Sequence, residues 1–149
     1  MALLWGFITI IVAFGITLMI GLLYMYLTNI DPNTLSNIPD LEQLFSLPSL
    51  YILVAVQPFC EEFFFRGFLL EKLQKIGGIP LAVLLTSILF GISHLSYTYA
   101  YAAFIAIFLG VLFSLVVIKT KNLYSSIFAH TVINIISLTL FIFGQSLGI

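Results

Sequence analysis

The chain has 149 residues, of which 62% are hydrophobic and only 7% are charged, and its formal net charge is −1. Soluble domains carry about 25% charged residues, so this composition excludes a soluble globular protein. A net charge near zero also gives no electrostatic basis for binding nucleic acid. We therefore expect a multi-pass protein of the cell membrane, with the lipid bilayer as its surroundings.

Five apolar runs are each close to the roughly 20 residues that a helix needs to cross the hydrocarbon. They cover residues 2–27, 47–70, 79–97, 101–118 and 123–143. We predict an all-α bundle of about five transmembrane helices and a single membrane domain over 1–149. Within this domain, 1–46 comprises an N-terminal anchor span and an extramembrane loop with a short interfacial helix near 41–45, and 47–143 forms the functional helical core.

The lysines predict the orientation of the chain. Lys72 and Lys75 follow the second apolar run, and Lys119 and Lys121 follow the fourth. The long loop between the first two runs has three acidic residues and neither Lys nor Arg. Because cytoplasmic loops are enriched in Lys and Arg, we expect the N-terminus in the cytoplasm and the C-terminus outside.

Three charges interrupt the second apolar run, in the stretch "QPFCEEFFFRGFLL". Each charge at the centre of a membrane helix costs about 2.5–3.5 kcal/mol on insertion scales. Glu62 and Arg66 are spaced i, i+4 on one helical face, so they can neutralise each other. Glu61 points away from that face and has no evident local partner. We expect a structural ion pair that supports a free carboxylate on Glu61.

Two further runs carry histidines at a similar depth. His94 follows Phe90 by one turn in "FGISH", and His130 precedes Asn134 by one turn in "HTVIN". At 1.5 Å per residue, these groups and Glu61 lie roughly 12–22 Å from the predicted cytoplasmic edge. Three helices therefore bring ionisable groups to the middle of the bilayer, where such groups are usually functional. A proton relay or small transporter is one function that fits this set.

The residue types favour hydrolysis over ion transport. Glu61 can act as a general base towards water, and His94 can orient the same water or donate a proton. His130 and Asn134 present two donors on one face, which suits a developing oxyanion. These groups together suit attack of an activated water on an amide carbonyl.

Zinc is the alternative to metal-free chemistry. Glu61, His94 and His130 are ligand types of a catalytic zinc site with an open fourth position. Zinc-bound histidines usually need a carboxylate or carbonyl partner for the other ring nitrogen, and Glu62 is better matched to Arg66. We therefore favour a site without metal or other cofactor.

The order of these motifs resembles a known family. "EEFFFR" fits E-E-x-x-x-R, "FGISH" fits F-x-x-x-H and "HTVIN" fits H-x-x-x-N, on successive predicted helices. This pattern is similar to the CAAX protease and bacteriocin-processing (CPBP, or Abi) family of intramembrane proteases. The resemblance implies that Glu61 activates water held by His94, that His130 and Asn134 stabilise the oxyanion, and that the predicted ion pair and Phe90 support the site.

The resemblance also implies a class of substrate. Eukaryotic relatives remove the last three residues of prenylated CAAX proteins, so we expect a peptidase that cleaves a membrane-associated or prenylated peptide. Prokaryotic relatives also act in bacteriocin immunity or as scaffolds, and a non-catalytic protein of that kind is the alternative. Many relatives have about eight spans, so a homo-oligomer or a partner membrane protein could complete the substrate groove here.

Overall fold

The structure, a computed structural model, describes residues 1–28, 45–95 and 100–147. The predicted interfacial helix near 41–45, apart from Phe45, and the loop residues 29–40 lie outside the described residues. The described part is helical almost throughout, as predicted. Its elements are α1 (Ala2–Thr28), α2 (Leu47–Glu62), a π-helical segment (Phe63–Leu69), α3 (Leu70–Ser93), α4 (Ala100–Thr120) and α5 (Tyr124–Leu147).

Four helical stretches of the described chain are long and apolar enough to cross a membrane. They are Ala2–Thr28, Leu47–Ser93, Tyr101–Thr120 and Tyr124–Gly144. The second stretch has 47 residues and would measure about 70 Å if it were straight, more than twice the roughly 30 Å of hydrocarbon. It therefore cannot cross the bilayer once as a straight helix.

The long stretch folds back on itself at Gly78. The backbone there has φ 75° and ψ −179°, a conformation open almost only to glycine, and Pro80 follows. The rings of Phe65 and Phe90, from opposite sides of this break, have centroids only 5.2 Å apart. The second and third predicted spans are thus the two arms of one helical hairpin.

The stretch "EKLQKIGG", which separates the second and third apolar runs and would be expected to form a short connection, is instead helical up to Gly78. The residues from 71 to 75 are strong helix formers. Lys75 donates to Glu71 at 2.6 Å across one turn of the helix. The polarity of this stretch marks the edge of the membrane, whereas the change of chain direction is made by the glycine.

Close contact between helices forms the core around the site. One cluster joins α1, α4 and α5 through five buried side chains: Ile10, Ala13, Phe113, Ala129 and Ile133. The hairpin packs against α4 at Gly110, where a Cβ atom would lie 2.9 Å from the Cα of Ser87. Only glycine permits so close an approach of the two backbones.

The start of α1, the hairpin turn and the α4–α5 turn lie at one end of the bundle. The Nζ of Lys119 is 5.5 Å from the centroid of the Trp5 ring. A cavity of about 540 Å³ is lined from the hairpin by Glu71 and Gln74 and from the other turn by Lys121. All four lysines therefore lie near the same end, as the spacing of the apolar runs predicts.

Candidate active site

A π-helical segment follows directly after the two adjacent glutamates. Helix α2 ends at Glu62, and the N–H of Leu70 donates to the carbonyl of Phe65 in the wider turn that closes the segment. Single π turns inside helices are frequent at functional sites. The apolar pattern predicts a regular helix here, because one extra residue in a turn leaves no mark in such a pattern. The segment carries Arg66 to the side of Glu62.

Glu62 and Arg66 form the buried pair. Arg66 Nη1 donates to Glu62 Oε1 at 2.8 Å, and both side chains are fully buried. Arg66 Nη2 also donates to the carbonyl of Gly110 at 3.2 Å. The guanidinium carbon lies 4.2 Å from the centroid of the Phe90 ring and 5.3 Å from that of Phe113. The predicted ion pair is thus present, and aromatic faces shield its cation.

Glu61 belongs to a different set of side chains, which we call the open group: Gln57, Glu61 and His94. Gln57 Nε2 donates to Glu61 Oε1 at 2.7 Å. Glu61 Oε2 lies 3.8 Å from His130 Nε2 and 4.0 Å from His94 Nε2, and it has no hydrogen-bond partner within the described residues. The expectation that Glu61 lacks a local partner is therefore wrong for Oε1, because Gln57 lies one turn before it.

The partners of the two histidines define their tautomers. His94 Nδ1 lies 2.8 Å from the carbonyl of Phe90, which can only accept, so Nδ1 carries the hydrogen and Nε2 of the neutral ring is an acceptor. His130 Nδ1 lies 2.9 Å from Glu62 Oε1 and donates to that carboxylate in the same way. His130 Nε2 then carries a hydrogen only when the ring is an imidazolium.

These contacts correct the expectation that Glu62 is matched to Arg66 rather than to a histidine. Glu62 does not serve Arg66 alone, because its Oε1 accepts from Arg66 and from His130 at once. Both histidines therefore have the carbonyl or carboxylate partner that zinc-bound histidines usually have. The matching of Glu62 to Arg66 no longer counts against zinc.

Two phenylalanines form the walls of the site. Phe90 was predicted as a supporting residue, and its ring centroid lies 4.5 Å from that of His94 and 5.7 Å from that of His130. Phe113 stacks on His130 with a centroid distance of 4.8 Å and an interplanar angle of 25°. Phe113 was not predicted, because nothing in the apolar run of α4 distinguishes it from neighbouring phenylalanines.

Asn134 lies one turn beyond His130 on α5 and is half-buried. Among the described residues, no hydrogen bond to its side chain is formed. The α5 helix thus places His130 against Glu62 and carries Asn134 one turn away on the same face.

The zinc alternative can be compared with these distances. Within the described ranges, no three His, Cys, Asp or Glu side chains are arranged to hold a metal ion. Two tetrahedral zinc ligands at about 2.0–2.2 Å from the metal lie roughly 3.4 Å apart, whereas Glu61 Oε2 is 3.8 Å and 4.0 Å from the two imidazole nitrogens. Glu61, His94 and His130 would need to close around a metal before binding it.

Comparison with known proteins adds the family. A family model described as Type II CAAX prenyl endopeptidase Rce1-like matches residues 43–136. No curated protein and no solved structure matches the chain. The matched region is more than half of the chain and contains all three motifs, so the predicted relationship to CAAX proteases is confirmed. This multi-pass membrane protein belongs to the Rce1-like family of type II CAAX prenyl endopeptidases.

Proposed function

We propose that this protein is an intramembrane endopeptidase in which Glu61 activates the attacking water. The observation that carries this proposal is the position of Glu61 Oε2, which faces His130 Nε2 at 3.8 Å and His94 Nε2 at 4.0 Å without a hydrogen-bond partner among the described residues. The Glu61 side chain is 19% exposed and that of His94 is 30% exposed, while Oε2 itself is buried, so a water must be admitted between these side chains to reach it.

The chemistry follows from the acceptors that meet there. A water between Glu61 and neutral His94 can donate one hydrogen to Oε2 and the other to Nε2, and both bonds orient its lone pair. As the water oxygen bonds to the peptide carbonyl carbon, its proton passes to Glu61 and the carbonyl electrons move onto the carbonyl oxygen. Collapse of this intermediate breaks the C–N bond, and Glu61 returns the proton to the leaving amine.

His130 and Asn134 are the proposed stabilisers of the oxyanion. His130 Nδ1 lies 2.9 Å from the Glu62 carboxylate, and His130 can donate from Nε2 only as an imidazolium. The buried pair would then act on the reaction through His130. The amide of Asn134 supplies the second donor, as in other oxyanion holes.

The substrate we propose is a membrane-associated peptide, either prenylated or apolar enough to enter the bilayer. The test is cleavage by the purified protein in liposomes, using matched peptides with and without a prenyl group near a C-terminal CAAX sequence. Each is assayed with and without a strong chelator, and zinc is measured in the same samples. We expect cleavage that survives the chelator, at a zinc content well below one per chain.

Other results would point to the alternatives. One zinc per chain, lost together with activity and restored by added metal, would make Glu61, His94 and His130 ligands. A folded protein that cleaves neither peptide would contradict the proposed peptidase function and favour a non-catalytic immunity or scaffold role. If only a complex with a second copy or a partner membrane protein is active, the groove is shared between chains.

We also propose that the end carrying the lysines is cytoplasmic, with the N-terminus inside and the C-terminus outside. The grouping of Lys119 with Trp5 and of Lys121 with the hairpin turn supports this orientation. Single cysteines can be introduced near Asn33, Gly77 and Ile149 in a background that carries Cys60→Ser. An impermeant thiol reagent added to intact cells should label the first and third positions only. Labelling at Gly77 would reverse the orientation.

A further inference from the structure

Gln57 is the one polar side chain between residues 52 and 59 of α2. The residues from 52 to 59 are otherwise Ile, Leu, Val, Ala, Pro and Phe, and the Gln57 side chain is exposed on the helix surface. Its carboxamide is oriented by one contact, in which Nε2 donates to Glu61 Oε1 at 2.7 Å. A hydrogen bond to a carboxylate is roughly twice as strong as one between neutral groups.

The packing of α2 against α5 sets the level of Gln57 along the bundle relative to the proposed oxyanion stabilisers. Tyr51 Oη lies 3.0 Å from Thr139 Oγ1, and Glu62 Oε1 lies 2.9 Å from His130 Nδ1. These two contacts define an antiparallel register between the helices. The register places Gln57 level with Asn134, on the side of Glu61 that is away from the lysines.

We propose that Gln57 is a positioning residue for Glu61. By holding Oε1, it fixes the carboxylate so that Oε2 faces the two imidazole Nε2 atoms at 3.8 Å and 4.0 Å. Glu61 has no second hydrogen bond within the described residues, so without Gln57 its carboxylate is free to turn between rotamers. This inference rests on the proposed function, because it assigns Gln57 a role through the base.

The main test is Gln57→Met, which keeps the length of the side chain and removes the donor. We expect kcat to fall about 10- to 100-fold, the range of one lost hydrogen bond to a charged group, while KM changes little. Gln57→Glu, which keeps polarity but puts an acceptor beside Glu61, should be at least as slow. Val56→Met, at the neighbouring exposed position, is the matched control and should keep the wild-type kcat and KM.

A double variant separates positioning from a general structural role. Because Gln57 is proposed to act only through Glu61, adding Gln57→Met to Glu61→Gln should lower the residual single-turnover rate no further. A further drop of 10-fold or more would overturn the proposal. So would a wild-type kcat in Gln57→Met, or a fully active Gln57→Glu.

The two proposals fail in different ways. If Glu61→Gln keeps normal turnover, the proposed function is wrong. If Glu61→Gln is slow and Gln57→Met is normal, only the role of Gln57 is wrong. Thermal unfolding of each variant checks that the fold is retained, and an altered KM with an unchanged kcat would indicate a substrate-binding role instead.

Discussion

Glu61 and Glu62 are neighbours in sequence, yet Glu61 belongs to the open group and Glu62 to the buried pair, so their carboxylates have different surroundings. Each glutamate has one buried oxygen without a partner among the described residues. The Glu62 side chain is 0% exposed and its Oε1 accepts from Arg66 and His130, whereas the Glu61 side chain is 19% exposed and its Oε1 accepts from one neutral amide. The two carboxylates are the same chemical group, but they differ in the exposure of the side chain and in the charge of the donors to Oε1.

This difference shows how a membrane helix can carry adjacent charges. One step along a helix turns the side chain by about 100°, so Glu62 faces α5 and the π segment while Glu61 faces the space between the two histidines. The buried pair neutralises one carboxylate where water is excluded. The other carboxylate is left for a reacting water. We therefore expect substitution of Glu61 to change turnover, and substitution in the buried pair to change stability first.

The largest expected effect is on turnover, in Glu61→Gln. The amide keeps the size of the side chain but cannot take a proton, so kcat should fall about 10²- to 10⁴-fold. The melting temperature should stay close to that of the wild type, because no buried ion pair is broken. Glu71→Gln, at the exposed hairpin end, is the control and should leave turnover unchanged. Near-normal turnover in Glu61→Gln would remove the distinction between the two glutamates.

Arg66→Met tests the buried pair and should act first on stability. Removing the cation leaves Glu62 buried without its charge partner, and the free energy of unfolding should fall by about 3–5 kcal/mol. Reversible unfolding in mixed detergent micelles measures this value. Lys75→Met breaks the exposed pair with Glu71 and should show no measurable change.

A double variant sharpens the same comparison. Glu62→Met combined with Arg66→Met removes both charges and should recover part of the stability that Arg66→Met loses. The turnover of the double variant should be well below that of the wild type, because His130 then lacks the carboxylate on Nδ1. A double variant less stable than Arg66→Met would show that the charges are not a compensating pair.

A smaller effect is expected where α4 approaches the hairpin. In Gly110→Ala the added Cβ would lie 2.9 Å from the Cα of Ser87, so the helices must move apart, at a loss of about 1–3 kcal/mol in unfolding free energy. The same movement would lengthen the bond from Arg66 to the Gly110 carbonyl. Gly15→Ala is the control, because no atom lies within 4 Å of the added Cβ. Equal stability of the two variants would contradict the close packing.

Much of the fold could be predicted because membrane helices are defined by local features. Length and apolarity identify the helices, and the spacing of Glu62 and Arg66 identifies an ion pair within one turn. The three short motifs predict the family, and the family-model match over residues 43–136 confirms it. The hairpin was less visible, because a polar stretch of strong helix formers precedes Gly78 and gives the sequence pattern of a link.

The unpredicted parts of the site depend on choices between partners. Glu62 has two donors, and only the packing of α2 against α5 shows that His130 is the second. Gln57 lies one turn before Glu61, a spacing visible in the sequence, but its side chain could equally face lipid. The π segment and Phe113 depend on backbone geometry and on neighbouring helices, which a single apolar run does not specify.

The most direct test of the central claim follows the oxygen of water. The purified protein is allowed many turnovers of a cleavable peptide in H₂¹⁸O, and both the product and the protein fragment containing Glu61 are then analysed by mass spectrometry. If Glu61 acts as a base, each product carboxylate gains one ¹⁸O and the fragment gains none. Incorporation of ¹⁸O into Glu61 would show that its carboxylate attacks the substrate and is regenerated by water, which would contradict activation of water by this glutamate.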